Sequence, residues 1–231
     1  MTLGVLAQVV IRERTQTCES RNDFCPDWIA HHYDEYLAPL WTHLQLVLVS
    51  VALGFVIAFA LAVVAHRRRW LVGPITGFTG ILYTIPSIAL FTILLPITGF
   101  GFWTAIIALT SYTLLIIFRN IVTGLDNVPE EARDAARGMG LTERQRLWKV
   151  EVPLALPEIF AGLRIATTTT VGLAALAFFA GAGGLGAQLM TDVNFKSNIV
   201  MAGGLCVLLA VMLDLILLTA ERFTVRWEFE G

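Results

Sequence analysis

The sequence predicts an all-α membrane protein of about five transmembrane helices, and three observations carry that expectation. Of its 231 residues, 56% are hydrophobic and only 15% are charged, with a mean hydropathy of +0.72, more apolar than a water-solvated domain of this length needs. Apolar windows recur at roughly Leu44 to Ala65, Ile75 to Pro96, Phe102 to Ile121, Ile165 to Ala182 and Ile199 to Ala220. At about 1.5 Å per residue, each comes close to covering a ~30 Å hydrocarbon core. The short alternating segments of a β-barrel do not occur, and backbone in lipid must pair within its own segment, which leaves helices.

Lysines and arginines orient this threading. Arg67, Arg68 and Arg69 follow the first span, and Arg119 ends the third. Arg133, Arg137, Arg144, Arg146, Lys149 and Arg164 precede the fourth, and Arg222 and Arg226 follow the fifth. These are 12 of the 16 basic residues, and all fall on one side of a five-span chain. That side is expected to be cytoplasmic, with the N-terminus outside and the C-terminus inside. The net charge of −2 gives no sign of a nucleic-acid partner.

Residues 1–41 read as an outer N-terminal segment. Its apolar run, Leu3 to Ile11, is too short to span and lacks the basic leader and cleavage site of a secretory signal. Cys18 and Cys25 fall where an oxidising exterior permits a disulfide closing a small loop. His31 and His32 lie nearby, but the spacing fits no usual zinc pattern, so no metal site is expected.

The second span places Thr76, Gly80, Tyr83 and Ser87 on one helical face, interrupted by Pro86. Small and hydroxyl residues either glue neighbouring helices or form a kinked polar wall along a solute path. The third span carries Thr110, Ser111, Tyr112 and Thr113 at mid-depth. Arg119, near its cytoplasmic end, suits an interfacial anchor better than a solute ligand. Gly181-Ala182-Gly183-Gly184-Leu185-Gly186 lacks the preceding strand and following lysine of a phosphate cradle, so it reads as a close helix crossing or an outer turn. Cys206 reads as a packed thiol. Asp214, inside the fifth span, must be neutral, paired or facing a wet cavity. Arg119 and Arg222 are its candidate partners, and a place on the solute path is the alternative.

Between the third and fourth spans lies the longest polar insertion, Val128 to Pro153. Pro129 suits a first helical position, and Glu130 and Glu131 complement the positive end of a helix dipole. Ala132, Ala135, Ala136 and Met139 form a narrow stripe of small side chains that another surface can approach. Gly138 and Gly140 stop the helix. Thr142 with Gln145 forms a capping-box pattern that opens a second helix from Glu143 to about Val150, ending ahead of Pro153. The expected product is a basic helical hairpin.

Asp134-Ala135-Ala136, then Gly140, then nine residues, then Val150-x-Val152-Pro153, resembles the cytoplasmic EAA loop of permease subunits in bacterial ATP-binding-cassette (ABC) importers. Asp134 stands for the usual glutamate, Val150 for isoleucine and Val152 for leucine. Thr84-Ile85-Pro86-Ser87 and the glycine run at 181–186 further resemble the osmoprotectant branch. The resemblance implies a type I importer permease fold, with a transmembrane domain at 42–220, a coupling loop at about 123–163 and a cytoplasmic tail at 221–231. It implies that Glu131, Asp134, Ala135, Ala136, Gly140, Val150, Val152 and Pro153 form the loop that docks on a separate ABC ATPase. It also implies a solute-binding protein outside, a second permease subunit, and an inner-membrane setting.

The implied cargo is glycine betaine, choline, carnitine or proline betaine. A quaternary ammonium has no N–H to donate and depends on aromatic faces. Tyr83, Thr84, Ser87, Trp103, Tyr112 and Asp214 are the candidate path residues. Neither a Walker-type Gly-x4-Gly-Lys-Ser/Thr nor a nucleophile–base grouping occurs, so a transport subunit with no cofactor is expected rather than an enzyme. The alternatives are a permease for an amino acid such as methionine, a proton-driven carrier using Asp214, and a structural membrane subunit.

Overall fold

The computed structural model describes Cys18 and residues 21–225; the apolar run Leu3 to Ile11 and Arg226 lie outside them. Every regular element among the described residues is helical. A short N-terminal cap, α1 (Pro26–His32) and a 3₁₀ turn (Tyr33–Tyr36), leads into α2 (Leu37–Arg67). A turn at Arg69–Leu71 opens α3 (Val72–Thr84), followed by α4 (Ser87–Thr98) and α5 (Phe102–Asp126). The polar insertion forms α6 (Glu130–Gly138), α7 (Glu143–Arg146), a π-helical turn (Leu147–Glu151) and α8 (Val152–Leu154). The chain then continues through α9 (Leu156–Ala174), a 3₁₀ turn (Ala177–Ala180), α10 (Leu185–Thr191) and α11 (Lys196–Thr224).

Three stretches are long and apolar enough on their own to cross a bilayer: Pro26–Arg67, Phe102–Asp126 and Lys196–Thr224. The expected second span is not one straight helix. Arg69–Thr84 and Ser87–Thr98 meet at 96°, and counted as one broken span they make a fourth. Pro86 supplies no N–H and pushes Ile85 into extended backbone. The freed Ile85 carbonyl accepts a hydrogen bond from the Tyr112 hydroxyl at 2.6 Å, so a tertiary contact stabilises the break. The helix of the expected fourth span opens where Leu154-Ala155-Leu156-Pro157-Glu158 signals a restart, ahead of the apolar window that begins at Ile165. This helix, α9, begins at Leu156 and stops at Ala174 instead of Ala182. Pro157 in its first turn and Glu158 near its positive end start it early.

The core is built where α5 is clasped by α2 and α9, with α11 against the far side of α9. Small residues set the spacing. A Cβ on Gly54 of α2 would lie 1.8 Å from Thr113 Oγ1 on α5, and one on Gly162 of α9 would lie 2.5 Å from Asn120 Cβ on α5. Close backbone approach of this kind stands in for the hydrophobic drive that lipid removes. One buried cluster, including Leu46, Phe91, Leu109 and Val171, fills the half nearer the cap. A second, including Phe118, Leu125, Leu147 and Ile159, joins the spans to the polar insertion. The 31 residues of α2 span roughly 46 Å. The cap packs at its first turn and the insertion at its last, so they sit at opposite ends of the molecule.

Candidate functional site

The polar insertion is a folded grip with its ends fixed by local hydrogen bonds. Pro129 is the N-cap of α6, one position earlier than the sequence suggests. Gly140 has φ +76°, and the Leu141 N–H reaches the Ala136 carbonyl at 3.1 Å while the Gly140 N–H reaches Arg137 at 2.9 Å. That pair of bonds is a Schellman motif, which needs the left-handed residue a glycine supplies. Thr142 then caps α7. Its side chain accepts from the Gln145 N–H at 3.3 Å, and Gln145 Oε1 accepts from the Thr142 N–H at 2.9 Å, which completes the capping box.

The second hairpin helix does not end ahead of Pro153. A π turn over Leu147–Glu151 carries the chain straight into α8, which contains Pro153. The π turn widens the helix by one residue and rotates Glu151 inward, a device common at functional positions.

Glu151 is 1% exposed and is the hub of the site. Its Oε1 accepts from Arg146 Nε at 2.8 Å, with Arg133 Nε at 3.8 Å, and its Oε2 lies 2.6 Å from Nε2 of His66 in the last turn of α2. Arg133 also donates to the Leu125 carbonyl at the end of α5, at 2.6 Å. One carboxylate thus ties α6, α7 and the ends of two long helices together. A further ion pair between Arg69 and Asp126 joins the same ends.

On the outer face of α6 the charges are paired among themselves. Glu130 accepts from Arg133 at 3.1 Å and from Arg137 at 3.0 Å, and Asp134 accepts from Arg137 at 2.7 Å. The Arg133 hydrogen bond, helped by the Arg137 charge, holds the Glu130 carboxyl below its ordinary value. The Asp134 hydrogen bond pushes Arg137 up.

Of the expected loop residues, Glu131, Asp134, Ala135 and Gly140 lie on the exposed surface, and Ala136 is buried. Val150, Val152 and Pro153 are half-buried against the spans. The stripe of small side chains is therefore split, with Ala136 facing inward and Ala135 outward. Met139, 73% exposed, and Trp148, 49% exposed, leave apolar surface beside the paired charges.

The candidate path residues do not form one cluster. Tyr83 and Tyr112 meet edge to face at 6.0 Å beside the break. Tyr83 also lines an open groove of about 360 Å³ with Arg119, Asn120 and Thr123. Thr84 donates to the Ile81 carbonyl of its own helix at 2.8 Å, and Ser87 is half-buried just beyond the break. Trp103 lies at the opposite end of α5 from Arg119, largely exposed and packed on Phe102.

Asp214 takes neither of its expected partners. Arg164 on α9 holds it with two bonds, Nε to Oδ1 at 2.8 Å and Nη2 to Oδ2 at 3.0 Å, and Glu221 stands 3.6 Å from the same guanidinium. The α9–α11 contact is thereby bridged by a planar fork that fits a carboxylate. Sequence reasoning missed Arg164, Glu151 and His66 as interacting groups. A glutamate among hairpin arginines was the one available signal for Glu151, and nothing in the sequence pointed to His66. Cys18 and Cys25 are joined in a disulfide within the cap, and no metal-binding cluster occurs among the described residues.

Residues 50–224 match the family described as binding-protein-dependent transport system inner membrane component. The osmoprotectant import permease protein OsmW of Salmonella typhimurium is 43% identical over 190 residues, covering 79% of this chain and 88% of that protein. The glycine betaine/carnitine/choline transport system permease protein OpuCB of Bacillus subtilis is 36% identical over 190 residues, covering 81% and 88%. Among solved structures, the inward-facing MetNI methionine ABC transporter superposes with a TM-score of 0.70 at 28% identity, covering 83% of this chain and 94% of that one.

Proposed function

The chain belongs to the binding-protein-dependent transport system inner membrane component family, and from that premise we propose that it carries a quaternary ammonium osmolyte into the cell. Glycine betaine, choline, carnitine and proline betaine are the solutes proposed. The chain is an inner-membrane permease subunit with the fold of type I ABC importers, and a family of this kind works with an ATPase, a solute-binding protein and another permease subunit. Relatives named for osmoprotectant, betaine, carnitine and choline transport support the cargo.

The hairpin is the proposed coupling element, and Glu151 is the observation that carries this reading. A buried carboxylate joining α6 and α7 of the hairpin to the end of α2 lets a push on Asp134, Ala135, Met139 and Gly140 reach the long helices without being absorbed by the loop. The proposed threading puts 1–41 outside, the transmembrane domain at 42–220 with its coupling loop at about 123–163, and 221–231 inside. Movement of the hairpin by a dimerising ATPase pair then rocks the helices between outward and inward openings.

The test is uptake by the subunit reconstituted with its ATPase and binding protein, using labelled glycine betaine, choline, carnitine, proline betaine and methionine. ATP-dependent uptake of at least one of the four quaternary ammonium compounds, with none of methionine, is the expected result. Uptake of methionine alone would overturn the cargo. ATP-independent uptake that survives scrambling of residues 130–151 would overturn the coupling role. The forked Arg164–Asp214 pair weighs against a proton carrier built on Asp214, because both carboxylate oxygens are already held by the guanidinium.

A further inference from the structure

We propose that a cup at the end of the molecule opposite the hairpin is a binding site for small quaternary ammonium cations. The cup lies between the N-terminal cap and the turn joining α10 to α11, and has a volume of about 250 Å³. Its choice of head group rests on the osmolyte reading above, whereas its cationic preference rests on the residues that line it. Two of these, Trp28 and Glu35, precede the stretch matched by the family, which begins at residue 50.

Three features select the ligand. The first is aromatic. The Trp28 and Phe195 rings pack edge to face, centroids 4.8 Å apart at 85°, and His32 stacks on Trp28 at 4.5 Å, so the half-buried indole is fixed as an aromatic wall of the cavity with buried Phe195 behind it. Aromatic faces attract cations that cannot donate hydrogen bonds. The second is charge. Glu35 and Asp192 line the cup and no lysine or arginine does. Lys196, four residues beyond Asp192, is committed to Asp23 at 2.9 Å. Glu35 makes no hydrogen bond or ion pair among the described residues, and Asp192 uses Oδ1 to accept the N–H groups of Asn194 and Phe195 at 3.1 and 3.2 Å.

The third feature is that the amide in the wall is already occupied. Asn198 accepts from Tyr36 at 2.6 Å and donates to the carbonyls of Gln188, Leu189 and Asp192. A ligand rich in donors and acceptors finds few partners here, whereas a trimethylammonium needs only negative potential and ring faces. A bare metal ion is disfavoured, since no group of three ligating side chains converges among the described residues. The volume falls below the ~300 Å³ at which pockets for drug-sized ligands begin, which suits a small osmolyte.

The cup is held rigid from both sides. The Cys25 N–H donates to Ser197 Oγ at 2.7 Å, and the Tyr36 hydroxyl reaches Asn198 on α11, so cap and turn are one packed unit. With the hairpin at the ATPase end, the cup opens outward, where solute leaves a binding protein. It is a first landing place for the cation ahead of the path between the helices.

The experiment is calorimetric titration of the full-length permease in nanodiscs with choline, and with 3,3-dimethylbutan-1-ol as its uncharged isostere, at fixed ionic strength. Choline is expected to bind saturably and at least tenfold more tightly than the isostere. Glu35→Gln combined with Asp192→Asn keeps the size of both side chains and is expected to weaken choline at least tenfold while melting like the wild type. Trp28→Phe, which keeps a ring, should weaken it less than Trp28→Leu. Absence of saturable choline binding, equal binding by the isostere, or unchanged binding by the double variant would overturn the site. The uptake assay separates the two readings. Osmolyte uptake with no cup binding removes the cup alone, while cup binding with no uptake of any quaternary ammonium removes the osmolyte reading and leaves a cation site.

Discussion

Replacing Glu151 by glutamine removes one negative charge from the centre of the hairpin while keeping the side chain's volume. Arg146 and Arg133, whose side chains are 18% and 15% exposed, would then face each other and His66 with no shared counter-charge. Breaking a buried ion pair by removing one partner costs about 3–5 kcal/mol when both groups are dry. The residual water at the two guanidinium groups, and the Glu130 carboxylate that Arg133 keeps at 3.1 Å, reduce this to roughly 2–3 kcal/mol. For a chain of this length, each kcal/mol moves the melting temperature by about 2–4 °C, so the expected fall is roughly 4–12 °C.

Thermal melting of the detergent-solubilised subunit measures that fall. ATPase stimulation in the reconstituted importer should drop severalfold, because the hairpin can then move without carrying α2. The loss from Arg146→Met combined with Glu151→Gln should be smaller than the sum of the two single losses, as expected for groups that share one interaction. A Glu151→Gln subunit that melts within about 1 °C of wild type and stimulates its ATPase normally would refute the hub.

Other consequences are equally concrete. Gly140→Ala should cost about 1–2 kcal/mol in melting experiments, because φ +76° is unfavourable for an L side chain, whereas Gly138→Ala, with open space around its Cβ and a helical backbone, should be neutral or stabilising. Asp214→Asn should lower uptake and melting temperature together, and the exchange Arg164→Asp with Asp214→Arg should recover part of both; a carrier that protonates Asp214 would recover neither. Lys196 holds the Asp23 carboxyl below its ordinary value of 3.8, so the pair's contribution is present above 3.8 and fades as pH falls through the lowered value. The melting difference between wild type and Lys196→Met should accordingly be constant at neutral pH and vanish only in strong acid, and a difference already lost at pH 6 would contradict the pairing.

How much of this was legible beforehand depends on how far apart in the chain the interacting groups lie. Thr142 and Gln145 are three residues apart, and Gly140 closes a motif spanning five. The backbone geometry of one helical turn dictates those contacts, so the hairpin was readable from residue types alone. The break at Pro86 was half readable. A missing N–H marks the site, but the 96° bend needs the Tyr112 hydroxyl, 27 residues on, to satisfy the Ile85 carbonyl. Pro157 and Glu158 mark the start of α9 in the sequence nine residues ahead of its apolar window, because a window average sees only apolar side chains and not the caps of a helix.

The amino-acid order by itself determined that the chain is helical and membrane-borne, where most of its long segments fall, and that a capped polar hairpin interrupts them. Each of those follows from hydropathy or from hydrogen bonds within a turn. Tertiary structure alone decided that Asp214 belongs to Arg164, 50 residues away, that Glu151 faces His66 across 85 positions, and that Trp28 meets Phe195 to form a cup. In lipid, apolar side chains are nearly indifferent to which helix they touch, so small-residue contacts such as Gly54 on Thr113 choose the neighbours. The charges then pair with whatever that packing brings within reach.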